Sequence, residues 1–181
     1  YNRCDSLIRA LESLCRQRAA ASAYEIIVVD NNSSDDTRSV VDSFRRLHPN
    51  VVYRFEPGQG LSHARNRGWR EARGDYVAFV DDDCEVPEQW LECARGIIDR
   101  HAPVLFGGPF YAAYRSPKPC WWKESYDIDF SRRHGPAAGR LPPGTYLDGG
   151  NLFIRRAVLR SVGGFDPGFG MSGRHIGYGE D

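Results

Sequence analysis

Lysine is nearly absent from this chain. Of 24 Lys and Arg residues only Lys118 and Lys123 are lysines. The 22 arginines suit planar recognition of phosphate or carboxylate, although GC-rich coding produces the same skew. Net charge is also lacking: 24 acidic residues balance the basic ones and the pI is about 7.1. That balance removes any global electrostatic case for nucleic acid or for an anionic membrane surface. The five cysteines, Cys4, Cys15, Cys84, Cys93 and Cys120, are odd in number and contain no C-x-x-C pair. They read as reduced thiols in a cytosolic setting, not as a disulfide frame or zinc site. No apolar run approaches the roughly 20 residues of a membrane span, and no signal peptide is visible. The 41% apolar content over 181 residues is enough for one domain with a real core.

Helical and strand periodicities alternate along the first 108 residues. Leu7, Ile8, Leu11, Leu14 and Cys15 lie at helical spacing, with Asp5 or Ser6 available as cap. Glu25 to Val29 is a short β-branched run ending at Asp30, and Val40, Val41, Phe44 and Leu47 mark the next helix. Val51–Phe55 predicts a strand, 61–72 a helix and Tyr76–Val80 a buried strand. Pro87 fits the first position of a helix containing Trp90, Leu91, Ala94, Ile97 and Ile98, and Val104–Phe106 closes the series as a strand. Such alternation predicts an α/β fold with a mostly parallel sheet flanked by helices.

Beyond Gly107-Gly108 the texture changes. Residues 109–146 hold six of the 11 prolines, together with Trp121-Trp122, Tyr126 and Phe130. An acceptor-binding or membrane-surface lid is one reading of this segment. For the tryptophans, plugging the loop onto the sheet is the preferred one.

Carboxylates stand where strands end. The run Phe79-Val80-Asp81-Asp82-Asp83-Cys84-Glu85-Val86 stops an apolar strand at three consecutive acids. In open α/β sheets, ligands bind at that end of the strands. A hard divalent cation would offset the mutual repulsion of the acids, and a solvated acidic turn is the alternative. Asp30 repeats the placement. Glu56-Pro57-Gly58-Gln59-Gly60 is a loop that lets backbone approach a ligand, with Arg65 and Asn66 following in the next helix.

Further blocks complete a recognisable set. They are Tyr1-Asn2, the run from Val28 to Thr37, Gly60-Leu61-Ser62-His63-Ala64-Arg65-Asn66-Arg67-Gly68, Gly74 to Asp83, Gly149-Gly150-Asn151, Gly163-Gly164-Phe165-Asp166 and Glu180-Asp181. In this order the chain resembles the family 2 inverting glycosyltransferases. The resemblance implies the Rossmann-like, nucleotide-diphosphate-sugar-binding glycosyltransferase type A fold. It implies a single catalytic domain over 1–181, with a nucleotide-binding half (1–108) and an acceptor-side half (109–181). It also implies a fragment, wanting the first strand and a C-terminal part.

By the same resemblance, Asp83 holds a divalent metal, Mn2+ or Mg2+, and Asp81 contacts the ribose or shares the metal. Asp30 accepts a hydrogen bond from the base, Arg65 helps to hold base or diphosphate, and Arg67 is a surface or structural arginine. Gly149, Gly150 and Asn151 shape the acceptor or donor-sugar side. Asp181 is the catalytic base, with Glu180 supporting it. The implied donor is a nucleotide-diphosphate sugar, a UDP-sugar being the family's commonest choice. The implied acceptor is a saccharide or lipid-linked hydroxyl, with peripheral membrane contact and no nucleic acid. The expected location is cytoplasmic, at the inner face of the membrane. Two alternatives are a nucleotidyltransferase and a non-catalytic nucleotide-sugar-binding module. A Rossmann dehydrogenase lacks its G-x-G-x-x-G, and an EF-hand lacks its alternating ligands.

Overall fold

A computed structural model describes residues 1–109, 111–123, 139–141 and 146–169. The expected alternation appears as α1 (Cys4–Cys15), β1 (Ile26–Asp30), α2 (Thr37–Leu47), β2 (Val51–Phe55), α3 (Leu61–Glu71), β3 (Tyr76–Phe79), α4 (Trp90–His101) and β4 (Leu105–Gly107). It is followed by β5 (Leu152–Arg155) and α5 (Arg156–Val162). β1 and β2 pair in parallel, from Ile26 opposite Val51 to Asp30 opposite Phe55. Leu11, Ile26, Val28, Val41 and Val51 form the first core, so α1 and α2 bury their apolar stripes on this sheet.

The second sheet departs from a parallel series. β5 lies between β3 and β4 and runs antiparallel to both, with Ile154 opposite Val77 on one side and Leu105 on the other. β3 and β4 therefore keep a common direction, but a later strand separates them. Leu152, Phe153 and Ile154 are each under a tenth exposed, a burial that an edge position would not provide. Full burial of such side chains is worth about 1.5–3 kcal/mol each, which favours insertion over edge addition. Phe153 stacks on Phe106 at 4.6 Å and meets Trp90 at 4.8 Å. Trp69, Leu152, Ile154 and Leu159 form the second core. A cleft of about 1860 Å3 separates β1 from β3.

Two helix starts differ from expectation. Neither Asp5 nor Ser6 caps α1; the Cys4 N–H donates to Asp35 Oδ2 at 3.0 Å, a partner 31 residues away. Helix α4 begins at Trp90, and Pro87 sits in the preceding turn, its carbonyl accepting from the Trp90 N–H and from Gln17 Nε2. Helix α5 stops at Gly163, whose φ of 86° is left-handed backbone.

Candidate functional site

Asp30 ends β1 and is 5% exposed. Burial of that order demands partners, and both oxygens have one: Oδ1 accepts from the Ser33 N–H and Oδ2 from the Tyr53 hydroxyl, each at 2.8 Å. Burial first, then the Asp30 contact, raises the Tyr53 phenol pKa, so the hydroxyl stays a donor. The carboxylate is thus held in one orientation, with lone pairs remaining for a further donor. Asp30 lines a cavity of about 160 Å3 walled largely by apolar residues of α1 and β1, with Arg3, Asn31, Asp81 and Asp82 in its polar lining.

The acidic run leaves the end of β3 in a tight turn closed by the Cys84 N–H donating to the Asp81 carbonyl at 3.1 Å. That turn brings ligand atoms of Asp81, Asp83 and Cys84 within 4.8 Å of one another. Burial, then the charges of Asp81 and Asp83, pushes the Cys84 thiol up to about 11. Gly150 leaves room beside this set: a Cβ there would stand 3.1 Å from Asp81 Oδ2 and 3.4 Å from Cys84 Sγ. Two carboxylates on an open turn, with space next to them, fit a hard divalent ion. Arg3 Nη1 donates to Asp82 Oδ1 and Asp83 Oδ2 at 2.9 Å, and these carboxylates raise the guanidinium pKa. The pair is half-exposed, so its worth is at most about 1 kcal/mol.

Arg65, 7% exposed, projects from α3 with its guanidinium 5.4 Å from the Phe165 ring and 6.0 Å from that of Phe79, and it lines the larger cleft. Its neighbour Asn66 donates to the Phe165 carbonyl at 2.6 Å. It also accepts from the Phe165 N–H and from Trp69 Nε1, both at 2.9 Å. Asn66 therefore pins the loop that supports Arg65. Asn31 performs the same service for the glycine loop, donating to the Glu56 and Gly58 carbonyls and accepting from the Gly60 N–H. Arg67 pairs with Glu71 one turn along α3.

Gly149 and Gly150 are buried in a short 3-10 turn ahead of β5. Asn151 accepts from Trp90 Nε1 at 2.9 Å and donates to the Pro109 carbonyl at 3.2 Å, so its side chain ties α4 to the chain leaving β4. Asp181 and Glu180 lie outside the described residues. The structure thus gathers Asp30, Asp81, Asp83, Arg65 and Gly150 around the ends of β1 and β3. Sequence reasoning missed Arg3, Tyr53, Cys84 and the supporting amide of Asn31, and it placed Asn66 beside Arg65 without its hold on Phe165. Only the adjacency of Cys84 to the triplet was a readable signal.

This geometry can be set beside known proteins. The sequence profile described as "Glycosyl transferase family 2" matches residues 1–163. "Glycosyltransferase AglE" of Haloferax volcanii is 30% identical over 177 residues, covering 97% of this chain and 56% of that protein. "Glucosyl-dolichyl phosphate glucuronosyltransferase" of the same organism is 28% identical over 164 residues, covering 86% and 51%. Among solved structures, "Mannosyltransferase PcManGT from Pyrobaculum calidifontis in complex with GDP-Man and Mn2+" superposes with a TM-score of 0.71 at 22% identity, covering 95% of this chain and 47% of that one. That likeness bears out the glycosyltransferase type A fold expected from sequence. The chain spans about half the length of the curated relatives it matches. The profile covers most of the sequence, and the chain belongs to glycosyl transferase family 2.

Proposed function

We propose that the protein to which this chain belongs transfers a sugar from a nucleotide-diphosphate sugar to a hydroxyl of a saccharide or lipid-linked acceptor, with inversion and with a divalent metal. The observation that carries the reading is the convergence of Asp30 and Asp81 on one cavity, with Asp83, Cys84 and Gly150 adjoining it. The relatives' names favour sugar transfer over nucleotidyl transfer. Glucosyl-dolichyl phosphate in one of them favours an acceptor carried on a lipid.

In this reading Asp30, fixed by Ser33 and Tyr53, orients the base, and buried Arg65 meets the base or diphosphate. Asp83 and Asp81 would hold Mn2+ or Mg2+, and the ion would supply Lewis-acid neutralisation of charge on the departing diphosphate. Gly150 keeps the space beside Asp81 free for the donor sugar or acceptor. Displacement breaks the bond from the anomeric carbon to the diphosphate oxygen and forms one to the acceptor oxygen on the opposite face. The hydroxyl proton passes to Asp181, with Glu180 supporting it.

Calorimetric titration of UDP, then GDP, with and without Mn2+ tests the reading. Mn2+-dependent binding of one nucleotide is the expected result, UDP being favoured by the resemblance. Failure of a folded protein to bind either nucleotide would overturn it.

A further inference from the structure

The segment from Tyr111 to Lys123 serves none of the roles above. Every residue from Tyr111 to Trp121 is exposed, with Tyr111 at 67%, Tyr114 at 44% and Trp121 at 66%. Trp121 therefore does not plug the loop onto the sheet, as its aromatic character alone leads one to expect. The aromatic rings are nonetheless gathered: Trp122 lies 5.4 Å edge-on from Tyr114 and 6.0 Å from Trp121. Lys118 Nζ sits 4.3 Å above the Tyr114 ring and 5.8 Å from that of Trp122.

The charge of this segment sets it apart. Residues 111–123 contain Arg115, Lys118 and Lys123 and no acid, and they hold both lysines of a chain whose net charge is zero. Tryptophan and tyrosine prefer the membrane–water boundary, where an apolar ring and a polar edge are both satisfied. Lysine lays its stem along such rings and keeps its ammonium at headgroup level. The segment is also tied to the acidic turn, since Arg115 pairs with Glu85 and the preceding Gly108-Pro109 backbone bonds Asn151.

We propose that Tyr111–Lys123 docks on a bilayer interface rich in anionic lipid, setting the acidic turn beside the headgroups. The purpose of this docking rests on the lipid-linked acceptor proposed above; its measurement does not. Acidless basic charge combined with exposed Trp and Tyr matches an anionic lipid surface in both charge and polarity.

Co-sedimentation with phosphatidylcholine vesicles, with and without phosphatidylglycerol, and without nucleotide, tests the docking. The expected result is partition onto the phosphatidylglycerol vesicles, falling with salt, with a blue shift of tryptophan emission. Lys118→Gln/Lys123→Gln should weaken partition about 25-fold, at roughly fivefold per lysine. Trp121→Ser, an exposed position, should keep the native circular dichroism, weaken partition about tenfold and lose most of the blue shift. Four results would overturn the proposal: no partition by the folded protein, equal partition onto neutral vesicles, partition indifferent to both variants, or a Trp121-dependent emission shift produced by a soluble oligosaccharide and not by vesicles. The last would make the segment a saccharide subsite. Intact UDP binding alongside absent vesicle binding would sink the docking and leave the proposed function standing.

Discussion

Gly163 and Gly164 lie side by side after α5 with nearly equal dihedrals, φ 86° and 88°, yet substitution should affect them very differently. Alanine at either position forces an L side chain into left-handed backbone, at about 1–2 kcal/mol. At Gly163 the new methyl meets nothing within 4 Å, so the conformational cost is the whole effect. At Gly164 it would fall on Asn66 Oδ1 and within 2.5 Å of Trp69 Nε1, two atoms joined by a buried hydrogen bond. Asn66 must then release Trp69 or Phe165, and a buried donor left without a partner costs about 1–3 kcal/mol more. Urea unfolding followed by circular dichroism should show Gly163→Ala losing about 1 kcal/mol and Gly164→Ala about 3 kcal/mol. Because Phe165 supports Arg65, Gly164→Ala should also weaken UDP binding while Gly163→Ala leaves it unchanged. Equal losses of stability in the two variants would refute the steric argument and the role given to Asn66.

Gly150→Ala should leave stability within about 0.5 kcal/mol, since Gly150 is not among the positive-φ glycines, but weaken Mn2+ binding about tenfold by displacing Asp81, as read by calorimetry. A Kd within twofold of the parent would remove Asp81 from the metal site. Asp35 joins the starts of α1 and α2, and the Thr37 hydroxyl foremost holds its carboxyl down to about 2, from an ordinary value of 3.8. Protons therefore bind the unfolded chain more tightly. The stability Asp35 contributes is full above about pH 4 and is lost as pH falls toward 2, so Asp35→Ala should cost about 1 kcal/mol at pH 7 and flatten that acid limb in pH-dependent denaturation. Asp83→Ala should abolish metal-dependent donor binding, and full metal and donor binding by that variant would rule out Asp83 as the ligand. Asp181→Asn should spare donor binding in calorimetry while stopping turnover; undiminished transfer would reject Asp181 as the base.

What was legible in the sequence was local. Short apolar and β-branched runs located β1, β2, β3 and β4, and the abrupt change from apolar to acidic side chains located Asp30 and Asp81 at strand ends. The illegible features all depend on contacts distant in the chain. Asp35 takes over the capping of α1 from 31 residues away, and Asp5 gives no hint that it is displaced. β5 reads as an apolar strand but not as the one that enters between β3 and β4, because its place is chosen by Phe153 stacking on Phe106 and Trp90, across gaps of 47 and 63 residues.

Asn66 shows why the site was only partly readable. A mid-helix asparagine ordinarily competes with its own backbone, so at sequence level it weakens the prediction of α3. In the fold it satisfies Trp69 and both backbone groups of Phe165, 99 residues away, and so fixes the floor beneath Arg65. Gly164 is the complement of that arrangement, since any side chain there would occupy the space the amide needs. The side chains of Asp30 and Arg65 carry charges that advertise themselves in sequence. The residues that hold them and the adjoining glycine loop in place, Tyr53, Asn31, Asn66 and Gly164, are neutral and act through hydrogen bonds or empty volume. Placement of the charges is therefore the part of this site that only three dimensions reveal.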